Sequence, residues 1–200
     1  MDVDDTFRLI LLVGFVVVFP VALYHRLKAR AAGDTLDRRA EGLFILVTLR
    51  PIALLRVLGV VAFVIEPSWM DWSAIGLPTY ARWIGVPIGV SAAVLLIVVF
   101  RTLGPNLTDT VVTRANHTLV TAGPYRWVRH PFYCAAALAL AADSLVTANW
   151  YLALTGLLTI TLLAIRTRTE EEKLIERFGD RYREYMARTG RFIPRLSWSV

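Results

Sequence analysis

"FRLILLVGFVVVFPVALY", residues Phe7 to Tyr24, carries a single charge, Arg8 at its edge. It is about as long as the ~20 residues that a bilayer-spanning helix requires. A cleavable leader places basic residues ahead of its apolar run and an A-x-A site behind it. Here Asp2, Asp4 and Asp5 precede the run and no such site follows, so the stretch is expected to remain as a first membrane span. The whole chain agrees: 56% hydrophobic residues and a mean hydropathy of +0.54 over 200 residues are too apolar for a soluble globule.

Four more apolar stretches follow. Leu43 to Ile65 carries Arg50-Pro51 and Arg56, which are costly at bilayer depth unless they snorkel, pair or face a protein interior. Ile84 to Phe100 is cleaner, with Pro87 and Gly89 tolerable near its start. Phe132 to Val146 and Trp150 to Ile165, separated by Thr147-Ala148-Asn149, read as a tight helical hairpin whose members are short for spans. Basic residues test this order, because they collect on the cytoplasmic side. Arg26, Lys28, Arg30, Arg38 and Arg39 follow the first stretch, Arg101, Arg114, Arg126 and Arg129 the third, and nine Lys/Arg the fifth. The connection after the second has Glu66, Asp71, Trp69, Trp72 and Tyr80 with only Arg82 against them. The expectation is an all-α polytopic membrane protein with about five transmembrane helices and one domain over residues 1–200. Its first three spans occupy 1–102, and a loop, hairpin and terminal helix occupy 103–200. The N-terminus lies outside and the C-terminus in the cytoplasm.

The net charge of +6 and pI near 9.9 fit loops facing anionic lipid. No nucleic-acid partner is expected, since the basic residues form no continuous stripe. One cysteine, Cys134, permits no intrachain disulfide, and three histidines with it make no zinc spacing. Cys134 reads as packing and His25 as an interfacial residue. Thr169-Glu170-Glu171-Glu172 has capping-box form, with Leu174, Phe178, Tyr182 and Tyr185 at helical spacing behind it. An amphipathic helix is expected there, continuing from the fifth span or breaking just after it.

The segment "HTLVTAGPYRWVRHPFY", His117 to Tyr133, is the polar exception before the hairpin. Gly123-Pro124-Tyr125 is turn chemistry, and Pro131 suits a first helical turn while pushing His130 toward extended geometry. A rigid loop should feed the fourth helix. Its free backbone N–H groups would receive a carboxylate or ribose hydroxyls, and Tyr125, Trp127, Phe132 and Tyr133 offer faces for an adenine or a sulfonium. An interfacial belt of aromatic and basic anchors accounts equally well for these residues taken alone.

This segment, followed by an apolar hairpin and then "RTRTEEEKLIERFGDRYREY" (residues 166–185), resembles the isoprenylcysteine carboxyl methyltransferase family, membrane enzymes that use S-adenosyl-L-methionine. The resemblance covers roughly Leu103 to Pro194 and rests on H-x-L-V, G-P-Y, R-H-P-x-Y, E-E and F-G-x-x-Y-x-x-Y in this order. It implies that His117, Thr118, Leu119, Val120, Tyr125, His130, Pro131, Phe132 and Tyr133 line the cofactor, together with Glu170 and its neighbour Glu171. It also implies that Arg166 faces the acceptor, with Arg129 beside it, and that Arg166 and Glu170 are the catalytic pair. Ala135 stands where the family often has Gly, and the chain is shorter than eukaryotic members.

Arg166 and Glu170 stand four apart and so share a helix face. A sulfonium in a low-dielectric pocket needs a carboxylate or aromatic faces. The expected activity is methyl transfer to a lipophilic acceptor, foremost a prenylcysteine-like carboxylate, which needs no general base. A thiol or amine acceptor would need one, from His117, Glu170 or Glu171. Two rivals remain at this level: an NADPH-dependent membrane sterol-type reductase, which shares R-H-P-x-Y, and a non-catalytic scaffold binding membrane lipids or a partner.

Overall fold

The computed structural model describes residues 3–31, 43–104 and 118–195. Within them the chain is helical apart from two isolated backbone bridges. The helices are α1 (Val3–Ala31), α2 (Leu43–Ile65), α3 (Thr79–Leu103), α4 (Pro131–Thr147), α5 (Trp150–Phe178) and α6 (Asp180–Arg188). Among the described residues, α1, α2, α3 and α5 are long and apolar enough to cross a membrane, and α4 is a shorter apolar helix of 17 residues. The fourth expected span, Phe132 to Val146, is therefore present as a helix but below spanning length on its own.

Pro20, Pro51 and Pro87 lie inside α1, α2 and α3, a pattern tolerated in membrane helices whose neighbours re-satisfy the freed backbone groups. Of the two alternatives for the tail helix, continuation from the fifth span holds: α5 runs unbroken through Thr169 to Phe178, so Thr169 caps no helix start. The break comes at Gly179, whose φ of 56° is costly for any residue with a Cβ. α3 also starts at Thr79 rather than Ile84, so Arg82 belongs to the helix and not to the preceding loop.

α4 packs between α3 and α5, with α1 against α3 and α2 against α5. Close approach needs small residues: a Cβ on Gly85 of α3 would stand 2.8 Å from Val146 Cγ2 and 2.9 Å from the Ala142 carbonyl of α4. Arg56, 5% exposed on α2, resolves the cost noted from sequence. Its guanidinium donates to the carbonyls of Leu152 and Leu140 and to Asp143 Oδ2 at 3.3 Å, so it faces protein and is paired. Arg82 donates from Nε to the Val146 carbonyl (2.9 Å), pairs with Asp4 (2.7 Å) and lies 4.2 Å from the Phe7 ring centre. It thereby ties the starts of α1 and α3 to the end of α4, so the helices alternate in direction.

The α4–α5 corner is held by Asn149. Its Oδ1 caps α5 by accepting from the Leu152 N–H (3.1 Å), and its Nδ2 donates to Ser73 Oγ (2.7 Å) and the Met70 carbonyl (3.2 Å) in the 3-10 turn Pro67–Ser73. The side chain is 1% exposed. Asn149→Ala removes the cap and two buried hydrogen bonds, leaving Ser73 Oγ and the Met70 carbonyl only their bond to each other. We expect a loss of about 2–4 kcal/mol, read as a lower unfolding midpoint in detergent; an unchanged midpoint would contradict this role.

Candidate active site

The end of the bundle opposite Asn149 brings together the start of α4, the second half of α5, α6 and the chain after it. Gly123 opens a 3-10 turn, Gly123–Arg126, at φ 57°, and a Cβ there would meet Thr102 Oγ1 of α3 at 2.8 Å. Close approach and a positive φ thus both demand glycine. His130 precedes α4 at φ −123°, ψ 58°, outside the helical region as its following proline requires.

Successive residues on α5 point about 100° apart, so Glu170 and Glu171 face different partners around one imidazole. Tyr133 Oη donates to Glu170 Oε1 at 2.5 Å, and Arg166 Nε lies 3.0 Å from the same oxygen. His130 Nδ1 is 3.7 Å from Glu170 Oε2, and Nε2 is 3.2 Å from Glu171 Oε1. The His130 ring lies parallel to Tyr133, with centres 5.5 Å apart. Both oxygens of buried Glu171 are occupied: Arg129 Nε donates to Oε1 at 2.8 Å and Arg191 donates to Oε2.

Arg129 also donates to the carbonyls of Met186 and Thr189, so its guanidinium faces inward. The expectation of free N–H groups at this helix start is not met at two positions. Arg129 N–H donates to Gly190 O (2.8 Å) and His130 N–H to Arg191 O (3.1 Å), which pairs the loop with the tail.

Of the other expected site residues, Pro131 is fully buried. Phe132 packs toward Phe100 of α3, centres 6.0 Å apart, while Tyr133 turns to Glu170. Thr118 is exposed and Val120 partly buried. Leu119 lines a cavity of about 320 Å³ with Thr121, Arg126, Tyr185, Arg188 and Thr189 among its walls. His117 lies outside the described residues. Tyr125 is fixed through its carbonyl, which accepts from Tyr185 Oη at 2.6 Å. Burial pushes the Tyr185 phenol up to about 12, and burial, with Tyr185 and Glu170 nearby, raises that of Tyr125 further. Both phenols stay protonated at neutral pH and serve as donors, not bases. Cys134 donates its thiol to the Phe192 carbonyl at 3.3 Å, and Ala135 is fully buried.

Sequence reasoning missed Arg191, Thr189 and Phe192 as parts of this end of the molecule. Tyr182 and Tyr185 were visible only as F-G-x-x-Y-x-x-Y, a spacing that places both on the buried face of α6. No metal-holding group of three or more His, Cys, Asp or Glu occurs among the described residues.

Residues 83–176, from within α3 to near the end of α5, match the isoprenylcysteine carboxyl methyltransferase family. Over this region, just under half of the chain, the chain is similar to that family. The match begins earlier than the resemblance read from motifs and ends before α6. Protein-S-isoprenylcysteine O-methyltransferase of Rattus norvegicus is 34% identical over 118 residues, 52% of this chain and 41% of that protein. The Homo sapiens protein of the same name is 30% identical over 138 residues, 64% of this chain and 48% of its own. The cobalt-zinc-cadmium resistance protein CzcN of Cupriavidus metallidurans is 38% identical over 87 residues, 42% of this chain and 39% of its own. The chain thus spans about half the length, or less, of these curated relatives. A solved structure of the eukaryotic intramembrane Ras methyltransferase, isoprenylcysteine carboxyl methyltransferase, shares the fold, with a TM-score of 0.54 and 20% identity over 90% of this chain and 67% of that one. Within the matched residues, Arg166, Glu170, His130 and Tyr133 form one contiguous polar cluster.

Proposed function

We propose that the chain transfers the methyl group of S-adenosyl-L-methionine to a carboxylate on a lipophilic, prenylcysteine-like acceptor, forming a methyl ester. The observation that carries this reading is the Arg166–Glu170–Tyr133 cluster: a carboxylate and a guanidinium 3.0 Å apart at the end of an apolar bundle. The two reactants carry the complementary charges, a sulfonium cation and a carboxylate anion. Glu170 can turn to the cation and Arg166 to the anion, so one internal pair is exchanged for two external ones and no charge is left unpaired. The similarity to the family over residues 83–176 and the names of the mammalian relatives support the same chemistry.

S-adenosyl-L-methionine, when bound, supplies a methyl carbon made electrophilic by its sulfonium. The residues fit such a group: a partly buried carboxylate at Glu170, the aromatic faces of Tyr133 and Tyr125, and the small cavity beside Leu119. Arg166 holds the acceptor carboxylate and aims one oxygen, whose electron pair forms the new C–O bond as the C–S bond breaks. The acceptor arrives ionised, so no base is needed. Water is excluded by the apolar helices, which also admit the acceptor from the bilayer.

The orientation belongs to this reading. The end holding the cluster carries Arg101, Arg126, Arg181 and Arg188, and the opposite end exposes Trp69, Trp72, Tyr80, Trp83 and Trp150. Basic residues on the cytoplasmic side and an aromatic belt at the far interface give an outer N-terminus and a cytoplasmic site, reached by a water-soluble methyl donor.

Calorimetric titration of the purified protein with S-adenosylhomocysteine, and in parallel with NADPH, tests the reading. Saturable S-adenosylhomocysteine binding that weakens in Tyr133→Ala is expected. Binding of NADPH alone would make the protein a reductase, and binding of neither to folded protein would leave a scaffold.

A further inference from the structure

Glu171 is 3% exposed and gathers three segments distant in sequence. Arg129 and His130 come from the loop before α4, Glu171 itself from α5, and Arg191 from the chain after α6. The backbone repeats the connection, because the N–H groups of Arg129 and His130 donate to the carbonyls of Gly190 and Arg191. Phe192 completes it, its carbonyl accepting from the Cys134 thiol and its ring lying 5.8 Å from that of His130. The imidazole is therefore held on its Nε2 side by Glu171, on one face by Tyr133 and toward the tail by Phe192. Its Nδ1 side is left toward Glu170.

We infer that Glu171, together with the strap Gly190 to Phe192, is a positioning device that fixes His130 and Tyr133 against Glu170, and that neither Glu171 nor Arg129 contacts a ligand. This rests on the proposed function and assigns different work to the two adjacent glutamates. Glu170 has one oxygen shared by Tyr133 and Arg166 and the other 3.7 Å from His130, so it can exchange partners. Glu171 cannot turn away without leaving two guanidiniums unneutralised, and a buried unpaired charge is strongly disfavoured. The strap lies outside the region that matches the family, so the cluster depends on a segment that the match does not cover. Arg191, half-buried, closes the buckle from the solvent side.

The test uses Glu171→Gln, Arg191→Ala and Arg191→Lys in the full chain. It reads the imidazole nitrogen resonances of His130, assigned by their loss in His130→Gln, and the kinetic constants for methyl transfer. For Glu171→Gln and Arg191→Ala we expect displaced His130 resonances and affinity for S-adenosyl-L-methionine weakened roughly 10- to 100-fold. The acceptor KM should stay within about twofold, and Arg191→Lys should recover most of the loss. Unmoved His130 resonances with unchanged affinity in folded variants would overturn the inference. So would a loss confined to the acceptor KM, which would make Glu171 or Arg129 a substrate contact. Should Glu171→Gln not fold, the Arg191 pair gives the answer alone. Wild-type protein that binds no S-adenosyl-L-methionine would defeat the proposed function, while the His130 resonances would still decide the positioning role.

Discussion

Glu170→Gln is expected to weaken binding of S-adenosyl-L-methionine by about 10- to 100-fold while changing that of S-adenosylhomocysteine by no more than about threefold. The two ligands differ by the methyl group and the positive charge on sulfur. Gln keeps the size of the side chain and an oxygen to accept from Tyr133, now found at 2.5 Å. What it removes is the charge. A hydrogen-bonded contact to a charged group contributes about 1.5–3 kcal/mol, and each 1.4 kcal/mol is tenfold in affinity. Titrating both ligands into both proteins measures the difference directly. Equal weakening of the two would mean that Glu170 holds the neutral part of the cofactor, or acts only through Arg166.

Arg166→Ala is expected to lower kcat/KM by about 30- to several thousandfold with S-adenosylhomocysteine affinity nearly unchanged. Its side chain is 11% exposed, so an acceptor carboxylate brought beside it is largely out of water. Truncating one partner of such a pair costs about 2–5 kcal/mol, because the remaining charge is left unpaired. Arg166→Lys should recover only part of the rate, since an ammonium supplies the charge but not the planar fork that aims one oxygen. Steady-state rates with varied acceptor, set beside the titrations, separate the two ligands. A parallel loss of cofactor affinity would move Arg166 from the acceptor to the donor side of the site.

How much of this was legible in the sequence differs by element. The bounds of α2, Leu43–Ile65, and of α4 to within a residue follow from runs of apolar side chains ended by charge, proline or a turn. That the last span continues into the tail helix was one of two alternatives, and the local pattern did not choose between them. The Thr169-Glu170-Glu171-Glu172 pattern suits a helix start, but a capping box forms only where the backbone is already non-helical. Here Thr169 sits inside a continuous helix, and its glutamates answer to tertiary partners instead. The Arg166–Glu170 pair was legible because helical spacing alone places both on one face. The pairing of Glu171 with Arg129 and Arg191 was not, since it depends on Gly179 turning α6 back and on the register of the Val128–Gly190 bridge. Nothing in the local pattern encodes either.

Arg56 teaches the converse. Its presence in an apolar run looked like a flaw in a span, yet Asp143 and the Leu140 and Leu152 carbonyls stand ready for it on neighbouring helices. In a bilayer such a residue marks where helices must meet.

The measurement that bears most directly on the central claim is transfer of isotopically labelled methyl from S-adenosyl-L-methionine to an N-acetylated S-prenylcysteine by the purified protein in lipid. The product is then treated with base. Label released as methanol, in an amount that saturates with acceptor and falls away in Arg166→Ala, is the predicted result. Label that remains base-stable on sulfur or nitrogen, or no transfer by protein that binds the cofactor, would contradict carboxylate methylation as the function of this chain.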